Sequence, residues 1–413
     1  MNYGCIGEKL GHSFSELIHR KIGGYEYILK EIPEKELDAF MKARDFQGIN
    51  VTIPYKQAVI PYLDEISETA EKIGAVNTIV NKDGKLSGYN TDFSGMTALI
   101  KKTGASLDNK KVVILGTGGT SKTAYAVAES LGAAQVIKAG RTGKDGSLKY
   151  EEIYKNHADA EIIINTTPCG MFPENGGIPA DLDRFDKLEA VIDAIYNPLR
   201  SRLVIEAKKR GLIAEGGLYM LVAQAVAAAE LFTGKKYGGD LTDRIYKELL
   251  TEQTNIVLIG MPGSGKTTIG RKLANKLERE YADTDEYIVN SQQKPITEIF
   301  AGRGEEYFRD LESDAVKDIS SRHGLVISTG GGCVLRRENV DSLKQNGMIF
   351  FLDRPPEKLI PTLSRPLADS VEKIKKLYEQ RIDTYTAAAD RIIKINDSFE
   401  EGEKEIIKEF NGE

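Results

Sequence analysis

Residues 255–277 read NIVLIGMPGSGKTTIGRKLANKL, and residues 111–131 read KVVILGTGGTSKTAYAVAESL. Each begins with an apolar run, passes through a glycine-rich turn and continues with helical spacing. Strand, glycine turn and helix together open a parallel α/β sheet and aim a helix N-terminus at phosphate. The two openings differ in glycine spacing and lie far apart in the chain. They argue for two distinct nucleotide-binding domains.

At about 150 residues per domain, 413 residues allow two or three domains. The 41% hydrophobic content is enough for more than one core. Lys+Arg 56 against Asp+Glu 62 leaves a net charge of -6. That balance lacks the electrostatic footprint of a phosphate-backbone binder, so no nucleic-acid partner is expected. Cys5, Cys169 and Cys333 are too scattered for a disulfide framework or a CxxC motif, and the histidines lack HExxH spacing. The start, MNYGCIGEKLGHS, has no charged segment leading into an apolar one and does not read as a secretory signal. The apolar stretch at 218–232 is too short to span a bilayer and contains Gln224 and Glu230. A cytoplasmic location without membrane contact is expected, and no obligate protein partner is evident. No internal repeat points to a solenoid or propeller.

In the later stretch, GMPGSGKT fits the phosphate-loop pattern at Gly260, Gly265, Lys266 and Thr267. Backbone N–H groups around Gly263, Ser264 and Gly265 suit phosphate oxygens. Lys266 suits the β/γ phosphates, and Thr267 can offer its oxygen to Mg2+. Downstream come YADTDEYI, GRGEEYFRDLES, ISTGGGCVLR, SRPLAD and YEQRIDTYTAAAD, in that order. Asp283 and Asp285 are expected to alternate at a strand end. This series closely resembles shikimate kinase from about 254 to 413. The resemblance implies ATP-dependent phosphorylation of the 3-hydroxyl of shikimate. On it, Asp285 would bind the acceptor hydroxyls and act with Lys266 in catalysis, while Thr267 and Asp283 would hold Mg2+. Thr268 would join the ATP site. Arg309 and Arg381 would clamp the substrate carboxylate, and Gly330, Gly331 and Gly332 would pass close beneath the ring. Arg365 would sit in the lid. Glu312, three residues after Arg309, shares its helix face and could orient the guanidinium. The segment before RPL lacks an additional arginine common in that family.

In the earlier stretch, Gly116 and Gly118 fit G-x-G-x-x-G, with Ser121 in place of the third glycine. The next strand ends QVIKAGRT. An acidic residue there would hold a ribose 2′-hydroxyl, whereas Arg141 suits the 2′-phosphate of NADP. Around this unit lie GEKLGHSFSELIH, GINVTIPYKQ, GAVNTIV, GYNTDFSG, IINTTPCGM, IDAIYNPL and GGLYMLVAQAV. In sequence and order they resemble shikimate dehydrogenase over about residues 1 to 237. The resemblance implies that Ser13 and Ser15 bind the substrate carboxylate, and that Thr52, Asn77 and Gln224 bind the ring hydroxyls. Tyr196 would lie beside the substrate, and Lys56 with Asp92 would form the catalytic pair. Gly116, Gly118, Gly119, Arg141 and Thr142 would hold NADP(H). Glu16, Thr117 and Gly140 depart from the family's usual Pro, Ala and Asn. His12 and His19 read as structural or surface residues.

The expected fold is α/β throughout. A small substrate-binding domain (1–100) and a Rossmann-like NADP domain (101–237) precede a linker (238–254) and a P-loop kinase domain (255–413). The last helix of the second domain would pack back on the first. The linker reads as a glycine turn, a short charged helix and a polar junction. The expected function is bifunctional, reducing 3-dehydroshikimate with NADPH and then phosphorylating shikimate with MgATP. Two rivals are an NAD-dependent quinate/shikimate oxidoreductase fused to another small-polyol kinase, and a metabolite sensor that lost catalysis.

Overall fold

A computed structural model of the chain describes residues 2–11, 14–144, 146–359, 370–396 and 398–412. Its contacts divide the chain into two units, 1–248 and 249–413.

The first unit holds two sheets. One has six strands: β1 (Tyr3–Gly7), β2 (Tyr27–Glu31), β3 (Gly48–Val51), β4 (Glu65–Ile66), β5 (Thr78–Lys82) and β6 (Lys85–Tyr89), in the order β2-β1-β3-β5-β6-β4. Strands β1, β2 and β3 run parallel, while β5 is antiparallel to both β3 and β6. The second sheet contains β7 (Lys111–Leu115), β8 (Gln135–Ala139), β9 (Ile162–Asn165), β10 (Ala190–Asp193) and β11 (Ile213–Glu215). Its order is β11-β10-β9-β7-β8, all parallel.

Burial on both faces explains why β7 and β9 are almost wholly apolar. Val112 and Ile114 pack with Leu99, Val127 and Met220 on one face. Val113 and Leu115 pack with Ile153, Leu203 and Val204 on the other. The helix Thr91–Thr103 runs without a break through residue 100, and the helix Leu218–Thr233 packs along it. A Cβ at Gly95 would lie 2.6 Å from the Met220 carbonyl oxygen, so only glycine permits this close helix crossing.

The second unit has one parallel sheet: β12 (Asn255–Ile259), β13 (Tyr281–Asp283), β14 (Val326–Ser328), β15 (Gly347–Asp353) and β16 (Arg391–Lys394). Its order is β13-β14-β12-β15-β16. Central β12 is buried along its whole length, with alternate residues feeding two cores. The helix Ile296–Ser320 is broken at Gly304, whose φ of 82° and ψ of 174° are non-helical. The segment read as a turn, short helix and junction is instead dominated by one helix of 14 residues, Asp240–Gln253. The division at 248/249 falls inside it.

Candidate active sites

Lys56 follows β3 after a short turn, and Asp92 sits in the first turn of the helix Thr91–Thr103. Asn90 caps that helix by accepting from the Phe93 N–H, which fixes where the first turn begins. Lys56 Nζ donates to Asp92 Oδ2 at 2.6 Å, with the side chains 21% and 13% exposed. Behind the pair, burial pushes the Cys5 thiol up to about 12, against the opposing influence of Lys56. Cys5 is therefore a neutral wall rather than a nucleophile.

A buried polar network adjoins the pair. Asn77 Oδ1 accepts from the Thr91 N–H at 2.7 Å, and Asn77 Nδ2 donates to Thr91 Oγ1 at 3.1 Å. Thr91 Oγ1 also reaches Gln224 Oε1 at 3.4 Å. Thr78 extends the network to Asn50, and Tyr27 donates its hydroxyl to Asn50 Oδ1 at 2.6 Å. Asn77, Asp92 and Gln224 are thus brought together through Thr91. Ser15 opens the helix Ser15–Ile22, and the neighbouring Phe14 ring lies 5.7 Å from that of Tyr196. Burial raises the Tyr196 hydroxyl's pKa, with a smaller push from Cys5. Thr52 follows β3 directly, its N–H donating to the Ile6 carbonyl. Ser13 lies outside the described residues.

At the end of β10, buried Asp193 accepts from Asn165 Nδ2 (2.9 Å), the Ile195 N–H (3.0 Å) and the Ser201 hydroxyl (2.5 Å). It ties the turn after β9 to the loop carrying Tyr196. Burial pushes its carboxyl up to about 6 despite these donors.

The dinucleotide turn leaves β7 through Gly116, and Gly118 caps the helix Gly119–Ser130. A Cβ at Gly118 or Gly119 would meet nothing, so open backbone faces this helix N-terminus. Ser121 closes the turn by donating its hydroxyl to the Gly118 carbonyl at 2.7 Å. Arg141 and Thr142 are exposed just beyond β8. A Cβ at Gly140 would lie 3.1 Å from Thr117 Cγ2 and 2.7 Å from Ser147 Oγ. The missing side chain at 140 and the larger one at 117 are therefore sterically matched. These features fit a dinucleotide carrying a further phosphate on its ribose.

In the second unit, Gly265 caps the helix Lys266–Lys276 with a φ of 101°, and Gly263 turns with a φ of 85°. Both values favour glycine. Lys266 Nζ donates to the carbonyls of Gly260 (2.9 Å) and Met261 (3.0 Å), which folds the ammonium over the loop. Ser264 is buried within the loop, and Thr268 is exposed on the helix. Thr267 Oγ1 donates to Asp283 Oδ2 at 3.3 Å. A hydroxyl and a carboxylate so placed are the hard oxygen donors that Mg2+ takes, so these residues fit the ion.

Asp283 and Asp285 do not alternate along a strand. Asp283 ends β13 and caps the helix Thr284–Gln292, accepting from the N–H groups of Asp285 and Glu286. Asp285 lies in that helix's first turn. The chain bends at Thr284, whose hydroxyl accepts from the Gly330 N–H at 2.8 Å.

Gly330, Gly331 and Gly332 follow β14 into this region. A Cβ at Gly330 would lie 2.5 Å from Glu312 Oε1 and 2.7 Å from Asp285 Oδ1, and one at Gly332 would overlap the Arg309 guanidinium. Buried Arg309 donates to Glu312 Oε2 at 2.8 Å and to Glu305 Oε1 at 3.0 Å. Burial alone would lower the Arg309 pKa, but Glu312 and Glu305 outweigh it and hold the guanidinium charged. Burial pushes the Glu312 carboxyl up, and the surrounding arginines offset this only in part. Arg381 Nη1 donates to the Gly331 carbonyl at 3.0 Å, and the Tyr385 hydroxyl donates to the same oxygen. Arg365 lies outside the described residues.

Residues 5–79 match the shikimate dehydrogenase substrate binding domain family, and residues 262–411 match the shikimate kinase family. The shikimate dehydrogenase (NADP(+)) of Clostridium perfringens strain 13 / Type A is 35% identical over 264 residues, covering 60% of this chain and 97% of that one. The chain belongs to the shikimate dehydrogenase family. Fused to that dehydrogenase, the same chain carries a shikimate kinase domain. Shikimate dehydrogenase 1 from Peptoclostridium difficile is 36% identical, with a TM-score of 0.56, covering 60% of this chain and 98% of that one. A chorismate mutase/shikimate 5-dehydrogenase fusion protein from Clostridium acetobutylicum gives the same identity and TM-score, covering 60% and 96%. That protein is a second case of this dehydrogenase fold joined to another catalytic domain.

In the shikimate dehydrogenase part, sequence reading passed over Thr91, Thr78, Asn50 and Asp193, all buried polar residues within the NTD, GAVNTIV, NVT and IDAIYN strings. In the shikimate kinase part it passed over Thr284, Glu305 and Tyr385. Their signal was proximity to a motif, which does not separate a site residue from a loop residue. Among the described residues no helix is long and apolar enough to cross a membrane.

Proposed function

We propose that residues 1–248 reduce 3-dehydroshikimate to shikimate with NADPH, and that residues 249–413 phosphorylate the 3-hydroxyl of shikimate with MgATP. One observation carries this reading. A single chain holds a lysine–carboxylate pair beside a buried amide network in one unit, and a phosphate loop with two buried arginines in the other.

In the first reaction NADPH supplies the hydride. The chain's own task is to orient the ketone and deliver a proton to its oxygen as negative charge develops there. Lys56 is the proton donor, and Asp92 holds its ammonium in place. Such general acid assistance contributes typically about 10²–10⁴-fold. Asn77, Gln224 and Thr52 bind ring hydroxyls, and Thr91 contacts the side-chain amides of Asn77 and Gln224. Ser13 and Ser15 take the carboxylate, with Tyr196 alongside. Gly116, Gly118 and Gly119 admit the pyrophosphate to the helix N-terminus, and Arg141 with Thr142 receives the 2′-phosphate.

Phosphoryl transfer depends on positioning and charge neutralisation more than on covalent chemistry. Thr267 and Asp283 would hold Mg2+, which would supply charge neutralisation. Asp285 orients the acceptor hydroxyl and takes its proton. Lys266 and the helix N-terminus behind it neutralise phosphate charge, with Gly263, Ser264, Gly265 and Thr268 enclosing the nucleotide, and the resemblance assigns Arg365 to the same site. Arg309 and Arg381 clamp the shikimate carboxylate while Gly331 lets the ring approach the backbone. The partners are small molecules.

The test is an assay of the purified chain with shikimate and each dinucleotide, and separately with shikimate and MgATP. NADP+ reduction and shikimate 3-phosphate formation are expected. A strong NAD+ preference would overturn the cofactor assignment, and phosphorylation of other polyols but not shikimate would overturn the kinase assignment.

A further inference from the structure

Arg309 is 9% exposed at its side chain, and its two terminal nitrogens already hold carboxylates, Glu312 on Nη1 and Glu305 on Nη2. The two carboxylates differ in kind. Glu312 is 1% exposed and lies deep beneath Gly330, so it is a fixed support. Glu305 is 49% exposed and is the first residue after the helix break at Gly304. Gly332 lies against the guanidinium, where a Cβ would overlap Cζ and both terminal nitrogens, so backbone covers the group there. Of the two carboxylates only Glu305 is free to swing into water, so an incoming carboxylate meets Arg309 where Glu305 sits.

We propose that Glu305 is a built-in competitor for the substrate carboxylate, occupying Nη2 of Arg309 until shikimate displaces it. The exchange replaces one carboxylate by another on the same nitrogen. Glu305 moves outward into water, which costs an exposed side chain little. The pairing thus sets the kinase's affinity for its acid substrate: the binding-competent form is the fraction in which Glu305 has let go, and apparent affinity falls by that fraction. Holding the guanidinium also keeps it aimed and charged between turnovers. The proposal rests on the reading that Arg309 binds the shikimate carboxylate.

The test is a double-mutant cycle on the full chain, reading KM for shikimate and KM for ATP in the kinase reaction. Arg309→Ala tests the underlying reading and should raise KM for shikimate. Glu305→Ala should lower KM for shikimate about five- to tenfold, as expected if the open form is roughly a tenth to a fifth of the population. KM for ATP should not follow, and the gain should vanish in the Arg309→Ala background. Arg309→Ala with unchanged KM would overturn both the reading and the proposal. A raised KM for Arg309→Ala, together with no fall for Glu305→Ala, would overturn the competitor role alone.

Discussion

The Lys56 ammonium lies 2.6 Å from Asp92 Oδ2, and the two residues come from different elements, a turn after β3 and the start of a helix. The contact joins the six-stranded sheet to the helix Thr91–Thr103, so the proton donor is held from both sides. Its charge is compensated in the resting site and can be spent on a developing alkoxide.

Asp92→Asn should therefore lower kcat for reduction of 3-dehydroshikimate by about 10²–10⁴-fold. Phosphorylation of added shikimate by the same variant should match the parent. Steady-state assays of the two reactions on one preparation check this.

Two buried groups in the first unit should have opposing effects on its pH stability. His19 is buried, with Nδ1 2.5 Å from the Tyr25 hydroxyl, and burial lowers its pKa from 6.5 to about 3. Its contribution to stability is present above pH 6.5 and is lost as pH falls toward 3. Asp193 is raised from 3.8 to about 6, so its contribution is present below 3.8 and is lost as pH rises through 6. Between pH 4 and 6 the two slopes oppose each other. His19→Gln should expose the Asp193 slope, a loss of about 3 kcal/mol as pH rises across that window. Asp193→Asn should expose the opposite slope. Calorimetry across pH, following the transition that NADP+ shifts, reads both.

Gly330→Ala should damage the kinase and spare the dehydrogenase. The added methyl would press on Glu312 and Asp285 at 2.5 and 2.7 Å, moving both the support of Arg309 and the group at the acceptor hydroxyl. A displacement near 1 Å at such a site costs on the order of 10²-fold, to be read in kcat/KM for shikimate.

Arg141→Ala should lower kcat/KM for NADPH by about 10- to 100-fold, the worth of a charge-assisted hydrogen bond to phosphate. The value for NADH should stay level. Equal losses with both dinucleotides would remove Arg141 from 2′-phosphate recognition.

The layers of the fold were legible because strands buried on two faces must be apolar, and glycine turns mark where they hand over to helices. The shikimate kinase and dehydrogenase strings were legible for their order. What stayed hidden was assembled at long range. Thr91 reads as one polar residue in NTD, yet it binds Asn77 and Gln224 at once because a helix start, a strand end and a second helix converge there. Asp283 and Asp285 alternate like strand residues, and the bend at Thr284 that separates their roles leaves no local mark. Glu305 and Arg309 look like any i,i+4 surface pair until Arg309 is seen to be buried, with Glu312 on its other terminal nitrogen. The length of the helix Asp240–Gln253 was under-read because its buried residues, Ile245 and Leu249, are few and set among charged ones.

The central claim is that one chain carries two independent active sites acting in succession on the same ring. Its most direct test follows NADPH oxidation and shikimate 3-phosphate formation together, in purified chain given 3-dehydroshikimate, NADPH and MgATP. Lys56→Ala should abolish NADPH oxidation and retain phosphorylation of added shikimate. Lys266→Met should abolish phosphorylation and retain NADPH oxidation. Loss of both activities from either folded variant would contradict the account.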